Sequence, residues 1–291
     1  MATNDFLPFA VGGSANVLSQ SAYAALAALT NGYQSGVANS AQINKTFRQS
    51  SIMAAVLAQF ISDQTGANSV DDGTTATLLA NLKLAVRAFK TVKRTLFTAS
   101  GTYTPSAGLL YAEVEVLGGG GGGATGSSSN AAGGGAAGGY CKAIFSASAL
   151  GASQTVTVGA GGAAGSAPGN GGSGGGQSSF GTLIVCAGGA GGSLTASTTT
   201  IGQPSGGGSV TTAPAGSIWS NGAFGRYGFG SASVQVGGDG AASIYGSGAN
   251  GAGTGAGSTG SGYGGGGGGS HASTGGVGRP GLVVVTEYCS Q

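Results

Sequence analysis

The sequence predicts a two-part α+β protein: an N-terminal α-helical region with three amphipathic helices, then a glycine-rich β domain with stacked polyglycine segments of the polyproline II kind. Three observations predict it. Apolar residues recur at spacings of three, four and seven as far as Phe89, the pattern changes to period two after Arg94, and 58 of the 66 glycines among 291 residues lie from Gly118 onward. The two regions are placed at residues 1–94 and 95–291.

Ser19 is the N-cap of a first helix through Tyr23, Leu26 and Leu29, which Gly32 ends in the left-handed position. A second and longest helix begins after Ser40. Its apolar residues Ile43, Phe47, Ala54, Leu57 and Ile61, joined by Val56 and Phe60, keep mostly to one side, and Gly66 closes it. A third follows the caps Asp71 and Asp72, with Leu78, Leu79, Leu82, Val86 and Phe89 opposite Lys83, Arg87 and Lys90. Such stripes suit a small bundle within one chain or packing between identical subunits, and the second reading is preferred.

From LFTASGTYTPSAG the chain reads as a strand and a turn at Pro105 and Gly108, followed by the strand LLYAEVEVLG. There Tyr111, Glu113 and Glu115 alternate with Leu110, Ala112, Val114 and Val116, which predicts one polar face and one core face. The unit then recurs loosely, each time as a short apolar strand beside a glycine tract. This predicts a sheet layer containing Val156, Leu183, Ile184, Val185, Val283, Val284 and Val285, packed next to a glycine layer.

Glycine loses the most conformational entropy on folding, so a segment this rich in it orders only where backbones pack too closely for side chains. Two uninterrupted runs fit that demand: Gly118, Gly119, Gly120, Gly121, Gly122 and Gly123, then Gly264, Gly265, Gly266, Gly267, Gly268 and Gly269. Each is long enough for about two turns of an extended helix rising roughly 3.1 Å per residue. Neighbouring helices would satisfy one another through N–H···O bonds. Collagen is excluded, because only six prolines are present and no Gly-X-Y phase is kept.

Charge narrows the function. Residues 1–95 carry seven basic and four acidic side chains, and the remainder only Glu113, Glu115, Lys142, Arg226, Asp239, Arg279 and Glu287. A net charge of +2 spread over this length leaves no patch for neutralising many phosphates, so no nucleic-acid partner is expected. Lys90, Lys93 and Arg94 read as cations at a solvated helix end. Cys141, Cys186 and Cys289 have no CxxC or Cys/His spacing and read as buried free thiols, with no metal and no cofactor. The start, MATNDFLPFAVGG, lacks a basic segment leading into an apolar core, and no run of eighteen apolar residues occurs, which suggests synthesis in the cytosol without a signal peptide.

The motifs FTASGTYTPSAG, EVEVLGGGGGG, GGYCKAIFS, QTVTVGAGG, SSFG and GRPGLVVVTEY, in that order, resemble the glycine-rich domain at the C-terminal end of tail fibres of tailed phages and prophages. NDFLPFAVGGSANVLSQSAYAAL and GVANSAQINKTFRQSSIMAAVLAQFISD are similar to the N-terminal region of tail-fibre or tail-tip proteins. The resemblance implies a homotrimeric virion protein, assembled in the host cytoplasm. Its N-terminal part would be held by phage tail or baseplate proteins, and its C-terminal part would bind a bacterial surface glycan or outer-membrane protein. The chain departs from the pattern in having no long shaft, which implies a short fibre or tip piece.

Recognition is expected on loops held by a stiff frame. SIWSNGAFGRYGFG offers Trp219, Phe224, Arg226, Tyr227 and Phe229, interleaved with glycines that expose them, and Tyr245 joins them as a receptor-binding candidate. These aromatics also suit a hydrophobic plug at the tip. Tyr263 and His271 are weaker candidates, the histidine reading as a hydrogen-bonded structural residue. A glycan-cleaving enzyme would need two carboxylates roughly 5 to 9.5 Å apart. Glu113 and Glu115, at i and i+2 on one strand face, sit about 6 to 7 Å apart, but a solvated strand edge explains them better. Neither a Ser/His/Asp triad nor a phosphate-binding loop is supported, so no catalytic residue is assigned. A purely structural tail-tip brace is the remaining alternative.

Overall fold

The structure, a computed structural model, describes residues 2–36, 39–87, 91–127, 130–195, 205–230 and 234–290. It is a mixed α+β fold, with helices in the N-terminal part and antiparallel sheets in the later part. The chain divides into two compact units, Met1–Thr91 with Ser290–Gln291, and Val92–Cys289.

The first unit holds α1 (Gln20–Ala24), α2 (Ala28–Asn31), α3 (Ser40–Thr65) and α4 (Ala76–Arg87). Ser19 caps α1, its hydroxyl accepting from Ala22 N–H at 3.1 Å. The single helix expected from Ser19 to Gly32 is instead two, because the ladder tightens to i→i−3 bonds from Leu26 to Tyr23 and from Leu29 to Leu26. The Asn39 side chain caps α3, and Gly66 ends it at φ 68°, a left-handed conformation that a Cβ would strain. Asp72 accepts from the backbone N–H and hydroxyl of Thr74, both at 2.8 Å, so it organises the turn before α4 rather than capping the helix itself. Phe89 and Lys90 lie outside the described residues.

The second unit contains, in chain order, β1 (Thr91–Phe97), β2 (Gly101–Tyr103), β3 (Leu109–Leu117), β4 (Ala131–Ala132), β5 (Tyr140–Ser146), α5 (Ala147–Leu150), β6 (Gln154–Thr157), β7 (Ser178–Phe180) and β8 (Ile184–Cys186). Then come β9 (Leu194–Thr195), β10 (Val210–Thr212), β11 (Ile218–Ser220), β12 (Phe229–Gly230), β13 (Gln235–Val236) and β14 (Leu282–Cys289). Lys93 and Arg94 thus sit on a strand, not at a helix end. The β-branched residues of TVKRTLF favour extended chain, and the Lys93 ammonium donates to Ser106 Oγ at 3.0 Å.

Two five-stranded sheets, ordered β1-β14-β3-β5-β11 and β10-β8-β7-β6-β2, enclose the core. Ala112, Val114, Val116, Val283 and Val285 from the first sheet meet Val156, Phe180, Ile184 and Cys186 from the second. Leu183 packs at the margin, and Val185 is only half-buried. The far face of β3 is not the simple polar face expected. Leu117, Tyr140, Leu282 and Val284 form a second cluster there, covered by Tyr245 and Tyr263, and Glu115 is buried among them with 8% exposure.

Segment 118–125 continues directly from β3, and its N–H groups rotate among three neighbours with period three. Gly118, Gly121 and Ala124 donate to Gly139, Ala136 and Gly133 at 2.9, 2.8 and 2.9 Å. Gly119, Gly122 and Thr125 donate to Gly176, Ser173 and Asn170, and Gly120 and Gly123 to Arg279 and Gly276. The acceptor numbers fall as the donor numbers rise, so these three neighbours are antiparallel. Carbonyls of the same segment accept from Gly189 and Gly192, from Gly162 and Gly165, and from Gly267 and Ser270, whose numbers rise together, so three further neighbours are parallel. One segment is therefore ringed by six, and the ladder is made within a single chain. None of the glycines from Gly118 to Gly123 has positive φ; a Cβ on any of them would overlap a neighbouring carbonyl. The missing side chain, not backbone freedom, is what the position requires.

Candidate functional site

The stretch following β11 places glycine at every third position: Gly222, Gly225 and Gly228. A Cβ at each would strike the carbonyl of Ala137, Gly134 or Ala132, so these three face the array. The residues between them are left to face outward. Phe224 and Tyr227 are consequently exposed, Phe229 just after Gly228 is exposed as well, and Arg226 more so, with 77% of its side chain open to solvent. The backbone beneath is held by Gly222 N–H to Gly208, Arg226 N–H to Asp239 and Gly134 N–H to Arg226, at 2.8, 2.8 and 2.9 Å.

Two clefts adjoin here. Arg226, Tyr227, Phe229, Val236, Gly238 and Asp239 line one of about 390 Å³. Phe224, Arg226, Asp239, Gly240, Ala241 and Asn250 are among those lining the other, of about 410 Å³. Arg226 and Asp239 belong to both and stand between them, with Nη1 3.9 Å from Oδ2. The other carboxylate oxygen, Oδ1, accepts from Gly251 N–H at 2.9 Å. Sequence reasoning counted Asp239 only among scarce carboxylates. The usable signal was its place between Gly237 and Gly240, which repeats the three-residue phase of Gly222, Gly225 and Gly228.

The structure separates the other candidates from this group. Trp219 is 55% exposed on β11, opposite Cys141, and lines neither cleft. Tyr245 is half-buried and turned toward the second cluster: its hydroxyl donates to Glu115 Oε2, which also accepts from Tyr140 at 2.7 Å, and the two tyrosine rings meet edge to face with centroids 6.2 Å apart. Burial, then the bond to Glu115, pushes the Tyr245 phenol up to about 12 and the Tyr140 phenol higher still. Tyr263 packs against the same cluster. His271 has a buried Nδ1 without a hydrogen-bond partner, so the hydrogen bond expected of its ring is absent at that nitrogen.

The three glutamates are internally engaged. Glu113 pairs with Lys142 at 2.8 Å, while Glu115 is buried under the two tyrosines. Glu287, 1% exposed, accepts from Tyr103 Oη, Ser106 N–H and Ser106 Oγ, each at 2.8 Å. Burial alone would raise its pKa, but these bonds and Lys93 hold it below the ordinary 4.5. Glu113 and Glu115 are therefore not two carboxylates of a solvated edge: one is in an ion pair and one is buried. All three cysteines are free and buried, and burial lifts the Cys186 thiol to about 12. Among the described residues no group of three His, Cys, Asp or Glu could hold a metal, and no helix is long and apolar enough to cross a membrane.

Residues 96–288 match the family model of the glycine-rich domain. The chain belongs to that glycine-rich domain family. The matched span takes in the second sheet, all of the first but most of β1 and the last residue of β14, the six-neighbour glycine array and both clefts, so the glycine-rich domain carries the whole candidate site. No curated protein matches the chain.

In the N-terminal unit, an apolar groove of about 250 Å³ runs between α3 and α4, lined among others by Phe6, Leu57, Ile61, Leu78 and Leu82. Met53, Val56 and Leu79 nearby are exposed.

Proposed function

We propose that this chain is a tail-fibre protein of a tailed phage or prophage that adsorbs to the host cell surface by binding, without catalysis. The observation that carries the reading is the exposure of Phe224, Arg226, Tyr227 and Phe229 around two clefts on a tightly bonded backbone array. Aromatic and arginine side chains dominate binding hot spots, and a stiff frame spares the entropy of ordering them on contact. The array itself is proposed to be stacked polyglycine II helices; the three-residue rotation of its N–H groups and the absence of positive φ in 118–123 support this. Binding rather than glycan cleavage is supported by the engagement of Glu113, Glu115 and Glu287 in internal bonds.

The resemblance of the N-terminal motifs supports attachment to the tail or baseplate through residues 1–94, in a homotrimer on the virion. The apolar groove and exposed Met53, Val56 and Leu79 supply surface for such packing. Three copies would turn individually weak sites into useful avidity. Binding of purified protein to a panel of whole bacteria, with oligomer mass measured on the same sample, tests the proposal. Adsorption by a trimer, lost with Tyr227→Ala/Phe229→Ala at an unchanged melting temperature, is the expected result. Adsorption to no cell overturns the function, and release of sugar fragments overturns binding without catalysis.

A further inference from the structure

Resting on that receptor-binding reading, we infer that the ligand is an uncharged glycan, two adjacent pyranose rings of which occupy the two clefts, with the Arg226–Asp239 pair hydrogen-bonding hydroxyls near the linkage between them. Each cleft is close to 400 Å³, toward the small end of the roughly 300–1,000 Å³ typical of small-molecule sites. That scale fits one ring with some water better than a folded protein loop. Each also has an aromatic wall, Tyr227 and Phe229 on one side and Phe224 on the other, against which the C–H face of a sugar can lie.

The polar groups choose the charge class. Four of the backbone donors beneath the clefts are used within the array: Arg226 N–H bonds Asp239, Gly237 N–H bonds Ala252, Gly238 N–H bonds Ala132 and Gly240 N–H bonds Ala249. Among the described residues, the charged groups lining the two clefts are one cation and one anion, Arg226 and Asp239, 3.9 Å apart. A sugar carboxylate or phosphate set on Arg226 would meet the Asp239 carboxylate at close range, a like-charge contact that costs affinity. Hydroxyls meet no such penalty, since they donate to Asp239 and accept from Arg226 together. The pair is exposed and long, so opening it to admit them costs little.

The full-length protein is titrated by saturation-transfer NMR with cellobiose, maltose, lactose and mannobiose, with their parent hexoses, and with digalacturonate. At least one neutral disaccharide binds, roughly tenfold more tightly than its parent hexoses, and Phe224→Ala removes most of that gain. Arg226→Ala weakens binding by roughly tenfold or more, whereas Asp239→Asn, which keeps the acceptor for Gly251, changes it by less than about threefold. Tighter binding of digalacturonate, or binding of none of these sugars, overturns the inference.

Adsorption to bacteria separates this outcome from failure of the function. Periodate treatment of the cells, which cleaves vicinal diols, is expected to abolish adsorption while proteinase treatment does not. The reverse result means a protein receptor: it overturns the glycan and leaves the tail-fibre reading standing. Adsorption to no cell removes both.

Discussion

Gly120 is the position where one added methyl tests the packing of the glycine-rich domain most directly. A Cβ there would overlap the carbonyl of Gly265 and lie 2.9 Å from that of Gly264, both backbone atoms that no rotamer change can move. Relief requires separating segments that share three bonds, each 2.8 Å: Gly120 N–H to Arg279, Gly162 N–H to Gly120 and Arg279 N–H to Gly265. At about 1 kcal/mol for each weakened bond and about 1–3 kcal/mol for overpacking, Gly120→Ala costs about 4–6 kcal/mol. A unit of this size loses about 2–4 °C of Tm per kcal/mol, so the midpoint falls by at least roughly 8 °C. Gly206 is the internal control, because it lies in the same array, has no positive φ and has open space where a Cβ would go. Gly206→Ala therefore stays within about 0.5 kcal/mol of the parent protein. Thermal and urea unfolding of both variants decide the matter. A Gly120→Ala protein that melts with the Gly206→Ala protein refutes close backbone packing as the reason for the glycines.

Glu287 supplies a pH test: its folded pKa lies below the ordinary 4.5, so its contribution is complete above that value and disappears as pH falls through the folded pKa. Glu287→Gln is expected to cost about 1.5–3 kcal/mol at pH 7 through lost charge-assisted bonds, and to flatten the dependence of urea stability on pH below 4.5; an unchanged slope would count against the network with Tyr103 and Ser106. The buried thiols predict negligible reaction with a disulfide reagent at pH 8 in the native state, slowest at Cys186, and three equivalents after denaturation. Rapid modification of the native protein would contradict their burial.

Much of the local structure was legible because its causes are local. Gly66 ends α3 where the apolar stripe ends, and Ser19 caps α1. The alternation of β3 correctly assigns Ala112, Val114 and Val116 to the core, since strand period and burial are properties of neighbouring residues. Lys93 and Arg94 were misread because the preceding helical pattern outweighed the β-branched residues around them. The buried state of Glu115 was illegible, since Tyr245, which covers it, is 130 residues away in the chain.

By itself, then, the sequence determined the division into a helical part and a glycine-rich β part, the three-residue phase around Phe224 to Gly228, and the scarcity of charge. Tertiary structure decided which segments ring 118–125, which aromatics are sealed and which are open, and that Asp239 stands beside Arg226. The physical reason lies in glycine itself. Without side chains, polyglycine segments carry almost no local instruction about their neighbours, so partner choice comes from the closed hydrogen-bond array and the two sheets joined to it.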